Sequence, residues 1–163
     1  MFSLMIPEVR RAVRALLLTP QHELLLMRFR FPWLAREMWI TPGGALKRGE
    51  TAEQALAREL KEETGLSKVE AGAEVWRREH VFEYTGKQIL QKERYFLVQT
   101  EAFEPRAAGL ELGDERDWFR GLHWWPLSDL PDRGDCFAPS RLGELMRELV
   151  RTGVPATPWE IDL

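Results

Sequence analysis

Short runs rich in hydrophobic residues predict β-strands in several parts of the chain. Residues 9–18 and 23–29 are the first two, and the turn sequence TPQH separates them. Residues 69–84 and 88–100 flank a TGK turn and predict a hairpin. The short apolar segments MWIT and LHWWPL add two more strands.

Two segments show the three- and four-residue spacing of amphipathic helices instead. The first runs from Thr51 to Thr64, because Thr51 and Gln54 have the spacing of a capping box and Gly65 stands where a left-handed helix end belongs. The second runs from Pro139 to about Arg151 and carries apolar residues at positions 142, 145, 146, 149 and 150. Strands mixed with two such helices predict an α/β sandwich.

Length and composition are those of one globular domain over residues 1–163, with 44% hydrophobic and 30% charged residues. The formal net charge of −3 predicts no membrane-surface role and no large nucleic-acid partner. Cys136 is the single cysteine, which rules out an internal disulfide and fits a reducing compartment. The apolar runs are too short to cross a bilayer, and the N-terminal segment that Pro7 ends has no basic region. We therefore expect a cytoplasmic protein.

The last turn of the first predicted helix is acidic on the side where its first turns are apolar. On a helical wheel the acidic and apolar residues share an arc about 100° wide. The acidic residues are Glu59, Glu62 and Glu63. Like charges four residues apart cost about 0.2–0.5 kcal/mol per pair, and each anion near a helix C-terminus costs about 0.3–1 kcal/mol. Arg58 and Lys61 lie off this arc, and two cations cannot neutralise three carboxylates.

Two interpretations of the acidic turn are open: a solvated acidic surface and a cation site. Hard divalent ions such as Mg²⁺ prefer carboxylate oxygens, and Mg²⁺ also binds water and phosphate oxygens. The neighbouring sequence contains no His or Cys, which disfavours softer metals. Gly43 and Gly44, just before the helix, would let the backbone approach a ligand closely. Together these features indicate a Mg²⁺ site for phosphate chemistry.

The residues around this helix match a known pattern at every fixed position. The pattern is G-x5-E-x7-R-E-U-x-E-E-x-G-U, where U is aliphatic, and the matching residues are Gly44, Glu50, Arg58, Glu59, Leu60, Glu62, Glu63, Gly65 and Leu66. This pattern is the Nudix box, so the chain resembles the Nudix hydrolase family. The segments WITPGG and LHWWPLSDL also resemble segments common in that family. The resemblance implies a Nudix-type α/β/α sandwich with a mixed β-sheet.

Nudix hydrolases cleave a nucleoside diphosphate linked to another group X, so the resemblance implies a pyrophosphohydrolase. Its substrate would be a small nucleotide derivative. Its reaction would be the Mg²⁺-dependent attack of water on phosphorus, with Mn²⁺ as the alternative ion. By resemblance, Glu59 and Glu63 are the principal metal ligands, and Glu62 completes the site directly or through water. The backbone carbonyl of Gly43 is the matching position for a further ligand.

The resemblance also implies roles for residues beside the metal ligands. Arg58 and Glu50 would form an ion pair that fixes the box loop against the helix and aims the glutamates. The general base would be Glu62 or Glu115, and an ordinary surface position is equally open for Glu115. Backbone geometry alone would be the role of two box glycines, Gly44 and Gly65.

The sequence determines less about the rest of the substrate site. Phe31 and Trp33 would stack on a base, as aromatic side chains do elsewhere. Tyr84 stands where the dinucleoside polyphosphate hydrolases of the family carry tyrosine, but also at the mouth of a predicted hairpin, where tyrosine is common. Three arginines near the box would either neutralise phosphates or be ordinary surface residues. They are Arg28, Arg30 and Arg36.

Two other functions share this fold. A regulatory module would bind a nucleotide without cleaving it, but such modules usually lose metal glutamates that this chain keeps. An isomerase of the isopentenyl diphosphate type is disfavoured by the complete box and because Cys136 lies far along the chain. Many members of the family pair, so a homodimer is open as well.

Overall fold

The computed structural model describes residues 6–107 and 117–161, and nine strands build one sheet within these residues. The strands are β1 (Glu8–Leu18), β2 (Glu23–Phe29), β3 (Met38–Ile40), β4 (Gly43–Ala45), β5 (Glu74–Tyr84), β6 (Lys87–Gln99), β7 (Phe119–Pro126), β8 (Phe137–Ala138) and β9 (Trp159–Glu160). The helices are α1 (Ala52–Thr64), α2 (Leu142–Thr152) and a short 3₁₀ helix (Leu127–Asp129).

Strand β1 lies in the middle of the sheet. The strand order is β8-β3-β2-β1-β6-β5-β9, with β4 also paired to β1 and β7 to β2. β1 runs parallel to β6 over its whole length and antiparallel to β2 and β4. These parallel and antiparallel pairs confirm the predicted mixed sheet. Because Arg14 stands opposite Gly43, the pairing of β1 with β4 brings the glycine turn against the middle of the sheet.

A hydrophobic layer covers each face of the sheet. Because side chains alternate along a strand, Leu16 packs into the cluster that contains α2, while Leu17 packs into the cluster that contains α1. Both leucines are 0% exposed, and the burial of each contributes about 1.5–3 kcal/mol. The two layers form the α/β/α sandwich that the resemblance to Nudix hydrolases implies.

Local hydrogen bonds set both ends of α1 where the sequence predicts them. The Thr51 hydroxyl accepts a hydrogen bond from the Gln54 amide at 3.1 Å, and the Gln54 side chain accepts one from the Thr51 amide at 3.0 Å. At the other end Gly65 has φ 79° and its amide donates to the Lys61 carbonyl. This left-handed end favours glycine, as expected for Gly65.

Several element boundaries differ from the prediction, and one of them is β7, which runs over Phe119–Pro126 rather than residues 122–127. Helix α2 begins at Leu142 rather than Pro139, because residues 139–141 form a turn in which the Leu142 amide donates to the Pro139 carbonyl. Strand β5 begins at Glu74 rather than at residue 69, and its pairing with β6 is irregular between Glu74 and Trp76.

Within residues 6–107 and 117–161, no helix is long and apolar enough to cross a membrane. One domain, a cytoplasmic location and a homodimer stay predictions.

Candidate active site

A cavity of about 850 Å³ opens beside the C-terminal half of α1. The glycine turn at β4 and the side chains of Glu59 and Glu63 line one part of it. The tip of the β5–β6 hairpin and the loop after β2 line another part. The cavity is therefore large enough for a nucleotide-sized ligand. Its lining includes Gly44, at the start of the Nudix box, and Glu59 and Glu63, near its end.

The structure places the three predicted glutamates differently. Glu63 is 6% exposed, and its Oε2 accepts a hydrogen bond from the Gly43 amide at 2.8 Å. The Glu59 side chain is 13% exposed, and its Oε1 accepts a hydrogen bond from Arg58 at 2.9 Å. The Glu62 side chain is 40% exposed and lies 3.6 Å from Arg58, outside the cavity lining. The fold therefore brings Glu59 and Glu63 to the cavity, whereas Glu62 is exposed to solvent outside the cavity lining.

The Glu59 carboxyl is mostly buried, which disfavours its charged form. Burial raises the pKa of its carboxyl, and the hydrogen bond from Arg58 does not cancel that effect. Glu59 also fills the space beside Gly44, since a Cβ added at Gly44 would lie 2.4 Å from Glu59 Oε1. A nearby cation would relieve the cost of ionising this carboxylate.

The structure contains the ion pair of Arg58 with Glu50. Arg58 donates from Nε to Glu50 Oε1 at 2.6 Å and from Nη2 to Glu50 Oε2 at 3.0 Å. Nη2 also donates to the Ala45 carbonyl at 3.0 Å. The hydrogen bond from Arg58 lowers the pKa of Glu50 to about 2. One guanidinium thus links α1, β4 and the box loop through charge-assisted bonds.

The oxygen atoms at this site fit a hard divalent ion. Carboxylates and a backbone carbonyl are ligands that Mg²⁺ and Mn²⁺ accept. In the part of the chain that the structure describes, no three His, Cys, Asp or Glu side chains are grouped closely enough to hold a metal ion. The Glu59 and Glu63 oxygens instead contact Arg58 and the Gly43 amide. Metal binding would therefore shift these contacts, and the ligand roles stay predictions.

Aromatic side chains form one wall of the cavity. Phe31 and Trp33 stack with ring centroids 5.2 Å apart and an interplanar angle of 18°. Trp118 meets both rings edge-on, at 5.7 Å and 4.8 Å. Trp33 is 64% exposed, and Tyr84, from the β5–β6 hairpin, is 51% exposed in the same cavity. The three aromatic residues singled out in the sequence, Phe31, Trp33 and Tyr84, thus lie at the cavity, together with Trp118.

The arginines at the cavity are not the three that sequence proximity suggests. Arg10 and Arg14 of β1 line it, whereas Arg28, Arg30 and Arg36 do not. Arg28 lies 3.7 Å from Glu37, and Arg36 lies 3.9 Å from Asp135. The pairing of β1 with β4 brings the distant arginines in, and a reading of nearby sequence could not find them.

A buried charged cluster beside the site was also missed. Glu93 is 3% exposed, and its side chain contacts Arg14, Arg78 and His80. The signal in the sequence was the alternation of β6, which places Glu93 on the same face as the buried residue Tyr95. Glu115, the other candidate for the general base, lies outside the described residues.

Comparison with known proteins places the chain in a family. The NUDIX domain family model matches residues 8–149. A putative mutator protein MutT4 of Mycobacterium tuberculosis is 32% identical over 115 residues, which are 71% of this chain and 43% of that protein. An RNA pyrophosphohydrolase of Hahella chejuensis is 30% identical over 133 residues, which are 74% of this chain and 80% of that protein. The chain thus spans less than half of the first relative and most of the second.

Solved structures show the same fold. A MutT NUDIX hydrolase from Burkholderia pseudomallei superimposes with a TM-score of 0.64 at 24% identity, covering 85% of this chain and 98% of that one. A MutT protein from Methanosarcina mazei Go1 gives 0.63 at 20% identity, covering 90% and 96%. The Nudix-type fold predicted from the box is therefore confirmed. By its sequence match and its fold, the chain belongs to the NUDIX domain family.

Proposed function

We propose that this chain is a divalent-metal-dependent Nudix pyrophosphohydrolase. It hydrolyses a pyrophosphate bond in a nucleoside diphosphate linked to another group. The observation that carries the proposal is that Glu59, Glu63 and the glycine turn share one cavity with an exposed aromatic wall. Membership of the NUDIX family and the pyrophosphohydrolase named among the relatives support the reaction class.

Four groups would hold the metal ion: the carboxylates of Glu59, Glu62 and Glu63 and the backbone carbonyl of Gly43. When bound, Mg²⁺ or Mn²⁺ offsets the negative charge of the diphosphate. The protein keeps these groups in place through the Arg58–Glu50 pair and the hydrogen bond from the Gly43 amide to Glu63. Glu62, which is more exposed than the other two, would complete the site directly or through water.

The chemical step needs a base beside the attacked phosphorus. A carboxylate, Glu62 or Glu115, accepts a proton from water while the water oxygen forms a bond to phosphorus. The bond from phosphorus to the bridging oxygen breaks, and the bridging oxygen leaves with the other phosphate group. The products are two phosphate esters, such as a nucleoside monophosphate and phospho-X.

The aromatic wall supports a nucleotide as substrate. Trp33 presents an exposed ring face at the cavity, and Tyr84 presents a second ring from the hairpin. Base stacking on such rings contributes about 1–3 kcal/mol per base. Arg10 supplies positive charge at the same cavity, which suits phosphate groups.

A product panel tests the reaction. The protein is incubated with Mg²⁺ or Mn²⁺ and with nucleoside triphosphates, dinucleoside polyphosphates, nucleotide sugars, ADP-ribose and a 5′-triphosphate RNA oligonucleotide, and the products are resolved. Cleavage at a pyrophosphate bond of at least one substrate is expected, and EDTA should abolish it. Nucleotide binding without cleavage across the panel would favour the regulatory module instead.

Glu63→Gln tests the metal assignment. This variant keeps the side-chain volume and removes a negative charge from the acidic turn, so it should lose most activity. Without Mg²⁺ it should be no less stable than the wild type, because it also removes like-charge repulsion. Glu53→Gln, on the exposed first turn of the same helix, is the matched control and should keep normal turnover. Normal turnover in Glu63→Gln would count against the assignment.

A further inference from the structure

A buried carboxylate lies beneath the candidate active site. The Glu93 side chain is 2% exposed, and its Oε2 accepts a hydrogen bond from Arg14 Nε at 2.6 Å. Its Oε1 accepts one from Arg78 at 2.7 Å and lies 3.1 Å from His80 Nε2. Burial alone would raise the pKa of Glu93, but the charge of Arg14 and its other partners hold it well below its usual range. Glu93 is therefore a buried anion at neutral pH.

Arg14 connects this anion to the glycine turn. Its Nη1 donates to the Thr41 carbonyl and to the Gly43 carbonyl, each at 3.3 Å. A planar guanidinium can bind a carboxylate and two carbonyls at once, while a lysine ammonium lacks this fork. Glu93 thus fixes Arg14, and Arg14 reaches the backbone on both sides of Pro42.

The Gly43 residue is held from two directions. Its carbonyl accepts from Arg14, and its amide donates to Glu63 Oε2 at 2.8 Å. It also lies against β1, since a Cβ at Gly43 would be 2.0 Å from the Val13 carbonyl oxygen. A shift of Arg14 would therefore turn the Gly43 carbonyl and move the partner of Glu63.

We infer that Arg14, held in place by Glu93, is a positioning residue that orients the Gly43 backbone and, through it, Glu63 for metal binding. The inference rests on the proposed function for its consequence in catalysis. Neither residue belongs to the Nudix box. Replacing a residue that holds a metal ligand in place typically lowers metal affinity or activity by about 10–100-fold.

Arg14 also lines the cavity, so direct contact with a substrate phosphate is the competing role. A phosphate contact would appear mainly in KM, with metal affinity unchanged. A positioning role would appear in metal affinity and kcat, with KM nearly unchanged. The two roles therefore separate in one set of measurements.

The test uses Arg14→Lys and Glu93→Gln in the full chain. Mn²⁺ binding is measured by electron paramagnetic resonance without nucleotide, and kcat and KM are measured on the best substrate of the panel. Both variants should bind Mn²⁺ about 10–100-fold more weakly and lose a similar factor in kcat. Arg77→Lys is the matched control: Arg77 pairs with Glu74 at an exposed part of β5, so this variant should behave as the wild type.

A second measurement does not need metal. The amide resonance of Gly43, followed after ¹⁵N-glycine labelling in metal-free protein, should move in Arg14→Lys and stay in place in Arg77→Lys. Arg14→Lys keeps a cation opposite Glu93, so it decides the question even if Glu93→Gln fails to fold.

Three results would overturn the inference. One is wild-type Mn²⁺ affinity in Arg14→Lys, and another is a loss confined to KM. The third is an unmoved Gly43 resonance. A wild-type protein that neither binds Mn²⁺ nor cleaves any substrate would instead overturn the proposed function, and the Gly43 resonance would still test the positioning role.

Discussion

At the scale of single residues, Gly44 leaves the space that the Glu59 carboxylate occupies. The sequence predicts a role in backbone geometry alone for Gly44, whereas in the structure the missing side chain leaves room for Glu59. A Cβ at this position would lie 2.4 Å from Glu59 Oε1 and 2.8 Å from its Cδ. Gly65, by contrast, has the left-handed φ of 79° that its position at the helix end predicts. One box glycine therefore serves the helix end and the other serves a neighbouring carboxylate.

Gly44→Ala should reduce activity much more than stability. The added methyl group pushes the Glu59 carboxylate away from the cavity. If Glu59 binds the metal as proposed, we expect a loss of about 10–100-fold in turnover, the range found when the support of a metal ligand is removed. Kinetic assays and thermal melts of the same preparations check this.

Gly153→Ala provides the reciprocal control. Gly153 has φ 78° and ψ −176° at the end of α2, and a Cβ there would meet nothing within 4 Å. The strained backbone should cost about 1–3 kcal/mol of stability and leave turnover unchanged. Equal turnover losses in both variants would show that the Gly44 effect is not local to Glu59.

The partners of Glu93 mark the limit of sequence reasoning at this scale. The helical wheel finds the box glutamates because they share one helix, and strand alternation places Glu93 on a buried face. Neither rule shows that Arg14, far away in the sequence, supplies the counter-charge. That pairing depends on β1 lying parallel to β6, which the sequence pattern does not determine.

At the scale of elements, the helices and strands that could be predicted are those with a clear signal in their own local sequence. The capping box and Gly65 define both ends of α1, apolar runs mark β1 and β2, and partial alternation marks β6. Strands β8 and β9 have two residues each, and β4 has three, so no period can be recognised in them. These short strands are stabilised by hydrogen bonds to neighbouring strands that are distant in the sequence. Their formation therefore depends on the tertiary fold and not on a local pattern.

The raised pKa of Glu59 predicts how α1 responds to pH without metal. Because burial favours the protonated form, the native protein binds more protons here than the unfolded chain. Ionising Glu59 therefore costs stability above its native pKa, and the cost is absent below the unfolded value of 4.5. In EDTA, Glu59→Gln should be more stable than the wild type at pH 8, and the difference should disappear near pH 4. Urea unfolding at both pH values measures it, and a variant less stable at pH 8 would contradict the assignment.

At the scale of the whole molecule, carboxylates that the fold stabilises govern the response to acid. The pKa values of Glu50, Glu74 and Glu93 are all lowered by arginine partners. These pairs join different elements: Glu50 ties the box loop to α1, and Glu93 joins β6 to β1 and β5. Protonation removes such pairs together, so we expect the fold to lose stability as the pH falls below about 5.

Glu74→Gln isolates one of these contributions away from the cavity. Burial alone would raise the pKa of Glu74, but hydrogen bonds from Arg94 and Arg77 lower it to about 2. Its stabilisation is thus present above the unfolded value of 4.5 and is lost as the pH falls towards 2. Glu74→Gln should be less stable than the wild type at pH 7 by about 1 kcal/mol, since both arginines are half-exposed and water screens them. The difference should vanish near pH 2 in urea unfolding experiments. Glu79 lies on the same strand as Glu74 and forms an exposed ion pair with Lys92 of β6. Glu79→Gln should therefore be as stable as the wild type at every pH. A Glu74→Gln deficit that persists at pH 2 would show that side-chain packing, rather than charge, joins β5 to β6 at this point.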